Sequence, residues 1–308
     1  MPYILEKANV LKNNKVVTCS ILINNQRVDY MKENLKQLSF MKTNLSQYLL
    51  TPGHVMVNYS FSKELSFQSF KKEMTEKYLQ KGCTTLLVIN DVKHENELVQ
   101  SLKKTRHYLL NSPIDYYLGI RIPLESLTPS LLVACRRKKI PVIIVTIEKL
   151  DELHKVPWGW IRESYHSYQI PIIPQWKMKE KTMFSNRKEE VWKTIMTENS
   201  IPTIPVCPNE NEPLSIEMLK KIGIYPEKGD LRVGGELDYN LYEHDSISYS
   251  VDEKPTLDYH KLIPTITMHK GGFTKVGAQV YFRSGFGNEC IVKKPGFFTS
   301  AYDKIVVV

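Results

Sequence analysis

Cysteine is scarce in this chain of 308 residues: Cys19, Cys83, Cys135, Cys207 and Cys290 are odd in number, widely spaced and form no CxxC pair. That excludes a dense disulfide framework, and reduced thiols in the cytoplasm are the expectation. No run of eighteen apolar residues occurs, and the opening Met1-Pro2-Tyr3-Ile4-Leu5-Glu6-Lys7 lacks a basic stretch followed by an apolar one. Neither a membrane span nor a secretory leader is expected. Repeats and low-complexity tracts are missing too, and a composition of 42% apolar and 24% charged residues excludes disorder. Acidic residues are outnumbered, with 33 Asp and Glu against 42 Lys and Arg, for a net charge of +9. Such a surplus assists anion binding, but its densest run, Arg136 to Lys139, lies in a helix-like segment and reads as a solvated face, so nucleic acid is not an expected partner.

What is present changes rhythm along the chain. The first fifty residues alternate apolar stretches with Asn13-Asn14 and Asn24-Asn25, pairs that tolerate positive φ, and read as a small antiparallel β unit. From about residue 52, short runs rich in β-branched and aromatic residues (Val55 to Tyr59, Thr84 to Ile89, Tyr116 to Ile122, Val142 to Ile147, Ile170 to Ile173 and, weakly, Ile201 to Val206) alternate with helix-like segments. Those segments are Phe67 to Gln80, Glu95 to Leu110, Pro129 to Lys139, Lys149 to Tyr168 and Lys188 to Glu198. Apolar strands alternating with helices imply a parallel sheet buried on both faces, either a barrel or a doubly wound sheet. After residue 226 β-type alternation returns through Leu231 to Tyr242, Ile263 to Phe282 and Lys304 to Val308.

Four stretches carry a resemblance. Leu50-Thr51-Pro52-Gly53-His54-Val55-Met56-Val57-Asn58-Tyr59-Ser60 opens the first βα unit after a β-rich start, and Ile4 to Val10 with Ile21 to Val28 precedes it as a hairpin. Gly82-Cys83-Thr84-Thr85 and the return segment Ile222 to Tyr239, with Lys228-Gly229-Asp230 and Leu237-Asp238, follow in order. The set resembles the amidohydrolase superfamily, the dihydropyrimidinase and dihydroorotase-like metal-dependent hydrolases. Their first barrel strand carries Pro-Gly-Phe-Ile-Asp-x-His-x-His. The resemblance implies an α/β fold: a shortened or incomplete TIM-like barrel over residues 52–226, and a β-sandwich built from both chain ends, residues 1–51 and 227–308.

It also implies a metal centre whose ligands are missing. The family holds its metals with the paired histidines, a carboxylated Lys or a Glu, two further strand-end histidines and a last-strand Asp. Here the paired positions are Asn58 and Ser60, the motif Asp is replaced by Met56, and Thr146-Ile147-Glu148 and Pro174-Gln175-Trp176 supply no histidine. A neutral amide or hydroxyl does not replace an imidazole. His54 sits about 13 Å up the strand from Asn58 and reads as a core or loop histidine, while His154 and His166 fall in helix-like stretches. Residues 55 to 225 give roughly 170 positions for a barrel that takes about 250, so loss of strands accompanies loss of ligands.

At the mouth expected beyond the strand ends, Asp91 with His94 is a weak candidate for a general-base pair, the alternative being that Asp91 or Asn96 caps the helix starting near Glu95. Arg121 and Glu125 form a second polar pair, able to clamp a carboxylate or phosphate or simply to pair with each other. Ser284-Gly285-Phe286-Gly287-Asn288 lacks the following helix that a phosphate loop needs. The leading reading is a degenerate, non-catalytic amidohydrolase-like protein that binds a small ligand through Asn58, Ser60, Asp91, His94, Arg121 and Glu125, or serves assembly as a homodimer, and requires no cofactor. The alternative is a metal-dependent hydrolase of cyclic amides or related C–N bonds, with zinc at an unconventional site. Six strands leave two open edges, which a lid formed by Lys149 to Tyr168 or a second copy of the chain is expected to cover.

Overall fold

The computed structural model describes residues 1–12, 15–59, 66–165, 168–177, 185–210, 212–243 and 262–297. The chain opens with β1 (Tyr3–Lys12), β2 (Lys15–Asn24), β3 (Arg27–Lys32), β4 (Met41–Asn44) and β5 (Tyr48–Pro52). β1, β2 and β3 form an antiparallel meander. Its second turn lies one residue beyond the expected Asn24-Asn25: Asn25 and Gln26 hold φ of 48° and 62° while Asn24 pairs with Arg27. Two successive positive φ values make the tight turn that matches strand twist. The Asn13-Asn14 turn lies outside the described residues. β4 and β5 pair with β1 in parallel, so the unit is not wholly antiparallel as expected. A register shift between Leu5 and Ala8, with Lys7 at φ 54°, lets β1 serve both partners, β4 through Tyr3 to Glu6 and β5 through Asn9 and Val10.

The middle of the chain alternates β6 (His54–Asn58), α1 (Phe67–Glu73), β7 (Cys83–Asp91), α2 (Leu98–Tyr108), β8 (Asp115–Pro123), α3 (Pro129–Arg137), β9 (Ile143–Ile147), α4 (Trp158–Glu163), β10 (Ile172–Trp176), α5 (Ser185–Glu198) and α6 (Ile216–Ile222). β6 to β10 make a five-stranded parallel sheet in chain order. Local chemistry sets the helix starts: the Thr128 hydroxyl accepts the Leu131 amide at 3.2 Å with Pro129 in the first turn, and Ser215 caps α6 in the same way. The expected helix over Lys149 to Tyr168 is instead a 3-10 turn at Leu150–Lys155 followed by the short α4. Pro157 separates them, because a proline cannot donate the amide that a continuous helix needs.

Successive strand residues face opposite layers. Met56, Leu86, Val88, Leu118, Ile120, Ile143, Val145 and Ile172 pack beneath the helices α1 to α5. Val55, Val57, Leu87, Ile89, Tyr117, Ile144 and Ile173 line the concave face of the curled half-barrel, where Leu219 and Ile222 of α6, with Ile204, Leu214, Ile224 and Val292, fill the space. The weak sixth run is reduced to one bridge, Thr203 on Ile172 of β10, with Ile172 N to Pro202 O at 3.0 Å and Ile204 N to Ile172 O at 3.2 Å. At the other edge Pro213 bridges Met56 of β6, and Leu214 N reaches Val55 O at 2.8 Å. Thr203 therefore lies on one edge strand and Pro213 on the other. The two open edges expected from the strand count are thus each partly covered from within the chain.

β11 (Tyr239–Glu243), β12 (Ile266–His269), β13 (Gly272–Val276) and β14 (Gln279–Val280) follow. β11 pairs antiparallel with β5, Leu241 opposite Leu50, so strands from both chain ends share one nine-stranded sheet, separate from the parallel one. The expected run Leu231 to Tyr242 becomes strand only at Tyr239, and the terminal run Lys304 to Val308 lies outside the described residues. No helix among the described residues is long and apolar enough to cross a membrane.

Candidate functional site

The motif Pro52-Gly53 sets the start of the parallel sheet by close packing. A Cβ at Gly53 would lie 2.3 Å from the Thr84 hydroxyl, so two of the stretches that carry the resemblance meet side by side. The pleat then decides which residues reach the mouth. With Val55 and Val57 on the concave face, the next concave position is Tyr59, and Asn58 faces the helix layer, where its amide donates to the Tyr78 hydroxyl at 2.6 Å. Asn58 is therefore separated from the other candidate residues, and Ser60 lies outside the described residues.

Asp91, Arg121, Thr146 and Gln175 stand at the C-terminal ends of β7 to β10, with Asp91 opposite Arg121 and Thr146 opposite Gln175 in the ladders. Arg121 Nε donates to Asp91 Oδ1 at 2.6 Å and Nη2 to Oδ2 at 3.0 Å. Nη1 makes a longer contact with Gln175 Oε1 at 3.4 Å, and the guanidinium carbon lies 5.7 Å from the Tyr59 ring centre. The Asp91 hydrogen bonds raise the Arg121 pKa further. Neither bland expectation for these residues holds as stated: Asp91 does not cap the helix near Glu95, and Arg121 pairs with Asp91 rather than Glu125. Tyr59 donates to Pro208 O at 2.8 Å, lies 3.1 Å from Cys207 Sγ, and its amide reaches Glu210 at 2.6 Å. Burial raises the Tyr59 hydroxyl and the Cys207 thiol, so both stay protonated at neutral pH.

Asp91, His94, Arg121 and Glu125 line one cavity of about 1020 Å3, together with Lys93, Glu148, Glu152, Lys155, Trp176 and Lys177. His94 and Glu125 are exposed on its rim. His154 is exposed on the 3-10 turn, whereas His54 is a core residue whose Nε2 lies 2.6 Å from the Tyr242 hydroxyl. Burial lowers the His54 pKa to about 3, so its ring is neutral. His166 lies outside the described residues. Among the described residues no group of three or more His, Cys, Asp or Glu is placed to hold a metal ion. With Val57 and Tyr59 on the concave face and Asn58 turned away, the donor set does not fit the paired-imidazole centre.

A second polar cluster lies at the opposite ends of the strands. Lys228 Nζ meets Asp115 at 2.6 Å, Glu236 at 2.6 Å and Asp238 at 2.8 Å, and His269 Nδ1 lies 3.0 Å from Asp238 Oδ1. Lys270 adds its ammonium to Asp115 and its amide to Asp238, and the Asn288 amide donates to Asp115 at 2.8 Å. Gly287 allows that approach, because a Cβ there would come within 1.9 Å of Ile114 O. Asp115 belongs to the parallel sheet and His269 to the mixed one, so this cluster joins them.

The architecture matches solved structures across nearly its whole length. L-hydantoinase (dihydropyrimidinase) from Arthrobacter aurescens aligns with TM-score 0.63 over 94% of this chain and 99% of that one at 11% identity. The chain shares the fold of this hydantoinase. A D-hydantoinase gives TM-score 0.58 at 12% identity over 94% and 98% of the two chains, and dihydropyrimidinase from Brevibacillus agri NCHU1002 gives 0.58 at 12% over 96% and 99%. No protein-family model and no curated protein matches the sequence.

Tyr59, Thr146 and Gln175 were missed by sequence reasoning, although period-two counting from Val55 and Val57 places Tyr59 inward. Of the junction, Lys228 and Asp238 stand in the return segment that carries the resemblance, but nothing in the sequence links them to Asp115, His269 or Asn288.

Proposed function

We propose that this chain is a catalytically degenerate protein of the amidohydrolase fold, without the metal centre, that binds a small ligand at the mouth of a shortened barrel. In this reading the barrel spans residues 52–226, a β-sandwich is formed by 1–51 with 227–308, and the protein works in the cytoplasm without a cofactor. The observation that carries it is the concave face itself: Val57 and Tyr59 point into it, Asn58, at a paired-histidine position of the motif, turns to Tyr78 in the helix layer, and the space beneath is filled by Leu219 and Ile222 of α6. The ligand cavity then lies over β7 to β10, with Asp91, His94, Arg121 and Glu125 as contacts.

Elemental analysis of the dialysed protein tests this, with no stoichiometric transition metal expected. One zinc or more per chain, together with opening of a cyclic amide, would overturn the proposal in favour of the hydrolase. A homodimer is the proposed assembly, through the face carrying Trp160, a large aromatic left 68% exposed. Trp158 is unavailable for such a contact, because its indole is buried and donates to Leu153 O at 2.8 Å. A Trp160→Ser chain that remains a dimer by light scattering would remove that face from the assembly.

A further inference from the structure

The ion pair at the mouth selects a charge class of ligand. Asp91 and Arg121 are joined by two hydrogen bonds, yet their side chains remain 53% and 23% exposed and both line the cavity. A ligand bearing only a carboxylate would have to displace Asp91 or share Arg121 with it, setting two like charges side by side. A ligand bearing only an ammonium would meet the reciprocal difficulty at Arg121. A molecule with both charges avoids both, because its carboxylate approaches the guanidinium while its ammonium approaches the Asp91 carboxylate, giving four alternating charges.

The remaining lining agrees. Its other ionised side chains are three lysines and three glutamates, so the cavity has no single-sign field to favour a simple anion or cation. Trp176, Val156 and Pro157 supply an apolar wall, and Trp176 is itself braced edge-to-face by Trp192 at 6.5 Å. Such a wall suits the side group of an amino acid, and pockets generally take orientation from few polar groups and area from apolar ones.

We propose that the cavity over β7 to β10 binds a small zwitterion of the α-amino-acid or short-peptide class, its two charges on Arg121 and Asp91 and its apolar side group against Trp176. This rests on the reading of the mouth as a ligand site. Four probes separate the possibilities on the full chain, followed by tryptophan emission and by saturation-transfer NMR: L-phenylalanine, N-acetyl-L-phenylalanine with the negative charge alone, L-phenylalaninamide with the positive charge alone, and N-acetyl-L-phenylalaninamide with neither.

L-Phenylalanine is expected to bind at least tenfold more tightly than either singly charged probe, with the neutral one weakest. Arg121→Gln and Asp91→Asn should each erase the preference, while the exchanged pair Asp91→Arg with Arg121→Asp should keep it, which guards against a folding artefact. Equal binding of N-acetyl-L-phenylalanine would overturn the charge class but leave the site. A preference that survives both single substitutions would place the ligand elsewhere and overturn the site as well. Binding of none of the four would overturn the inference, and metal content judges the loss of the catalytic centre independently.

Discussion

β8 carries a carboxylate at its beginning and a guanidinium at its end, and the two ends of the half-barrel treat their charges in opposite ways. At the base, Asp115 and Lys228 are 1% and 5% exposed, and each has at least two oppositely charged or hydrogen-bonding partners. At the mouth, Asp91 and Arg121 have each other, a long contact to Gln175, the Tyr59 ring beside the guanidinium, and the cavity. A buried charge is costly unless its partners are complete, whereas a half-exposed one is held partly by water. The base is therefore committed to joining the two sheets, and the mouth keeps charge available to a ligand.

The largest effect should come from breaking the base. Lys228→Met removes the ammonium shared by buried Asp115 and Asp238, leaving Lys270 on the first and His269 on the second, and removing one partner of a buried pair costs about 3–5 kcal/mol. Urea unfolding should show that loss, and a shift below about 1 kcal/mol would put the base on a par with exposed pairs. Acid should act on the same region. Burial alone would raise both carboxyl groups, but at Asp238 the His269 hydrogen bond and Lys228, and at Asp115 the Lys228 charge, outweigh it and hold each below the ordinary 3.8. Groups with depressed folded values stabilise the protein above their unfolded values and lose that contribution as pH falls. His54 adds an earlier stage, because burial lowers it from 6.5 to about 3 and the unfolded chain takes up its proton first. Stability should fall from about pH 6.5 downward and more steeply below about pH 4. Unfolding curves for Asp238→Asn should be flatter in the lower range and those for His54→Gln in the upper; unchanged slopes would detach these residues from the acid response.

The same contrast explains how much could be read in the sequence. The parallel strands were legible because each is a compact apolar run, and Asp91, His94, Arg121 and Glu125 could be placed at one mouth because all lie at or within a few residues of the C-terminal end of such a run. Asn58 was misplaced by aligning a motif without following the pleat: Val55 and Val57 claim the concave face, so the intervening even positions turn to the helices. The base was hidden as a cluster, although Lys228 and Asp238 stand in the return segment, because Asp115 and His269 become their neighbours only when β5 and β11 bring the chain ends together. The partial cover of the two edges was obscured for a related reason. Thr203 and Pro213 each contribute a single bridge, too little for a strand-like run but enough to meet both edges.

The smallest expected effect is the one that most sharply separates the two ends. Arg121→Gln and Asp91→Asn should each change unfolding free energy by less than about 1 kcal/mol, and the coupling from the double substitution should lie in the range of exposed pairs, about 0.2–1 kcal/mol. The hydrogen bonds are short, but Asp91 is more than half exposed, so solvent and salt offset much of the Coulomb attraction. The coupling should shrink further in 1 M NaCl, while the destabilisation from Lys228→Met should persist because solvent ions do not reach that junction. A mouth coupling of several kcal/mol, unmoved by salt, would make Asp91–Arg121 a second structural joint. The pair would then be too costly to rearrange around an incoming ligand, and the functional distinction between mouth and base would fall with it.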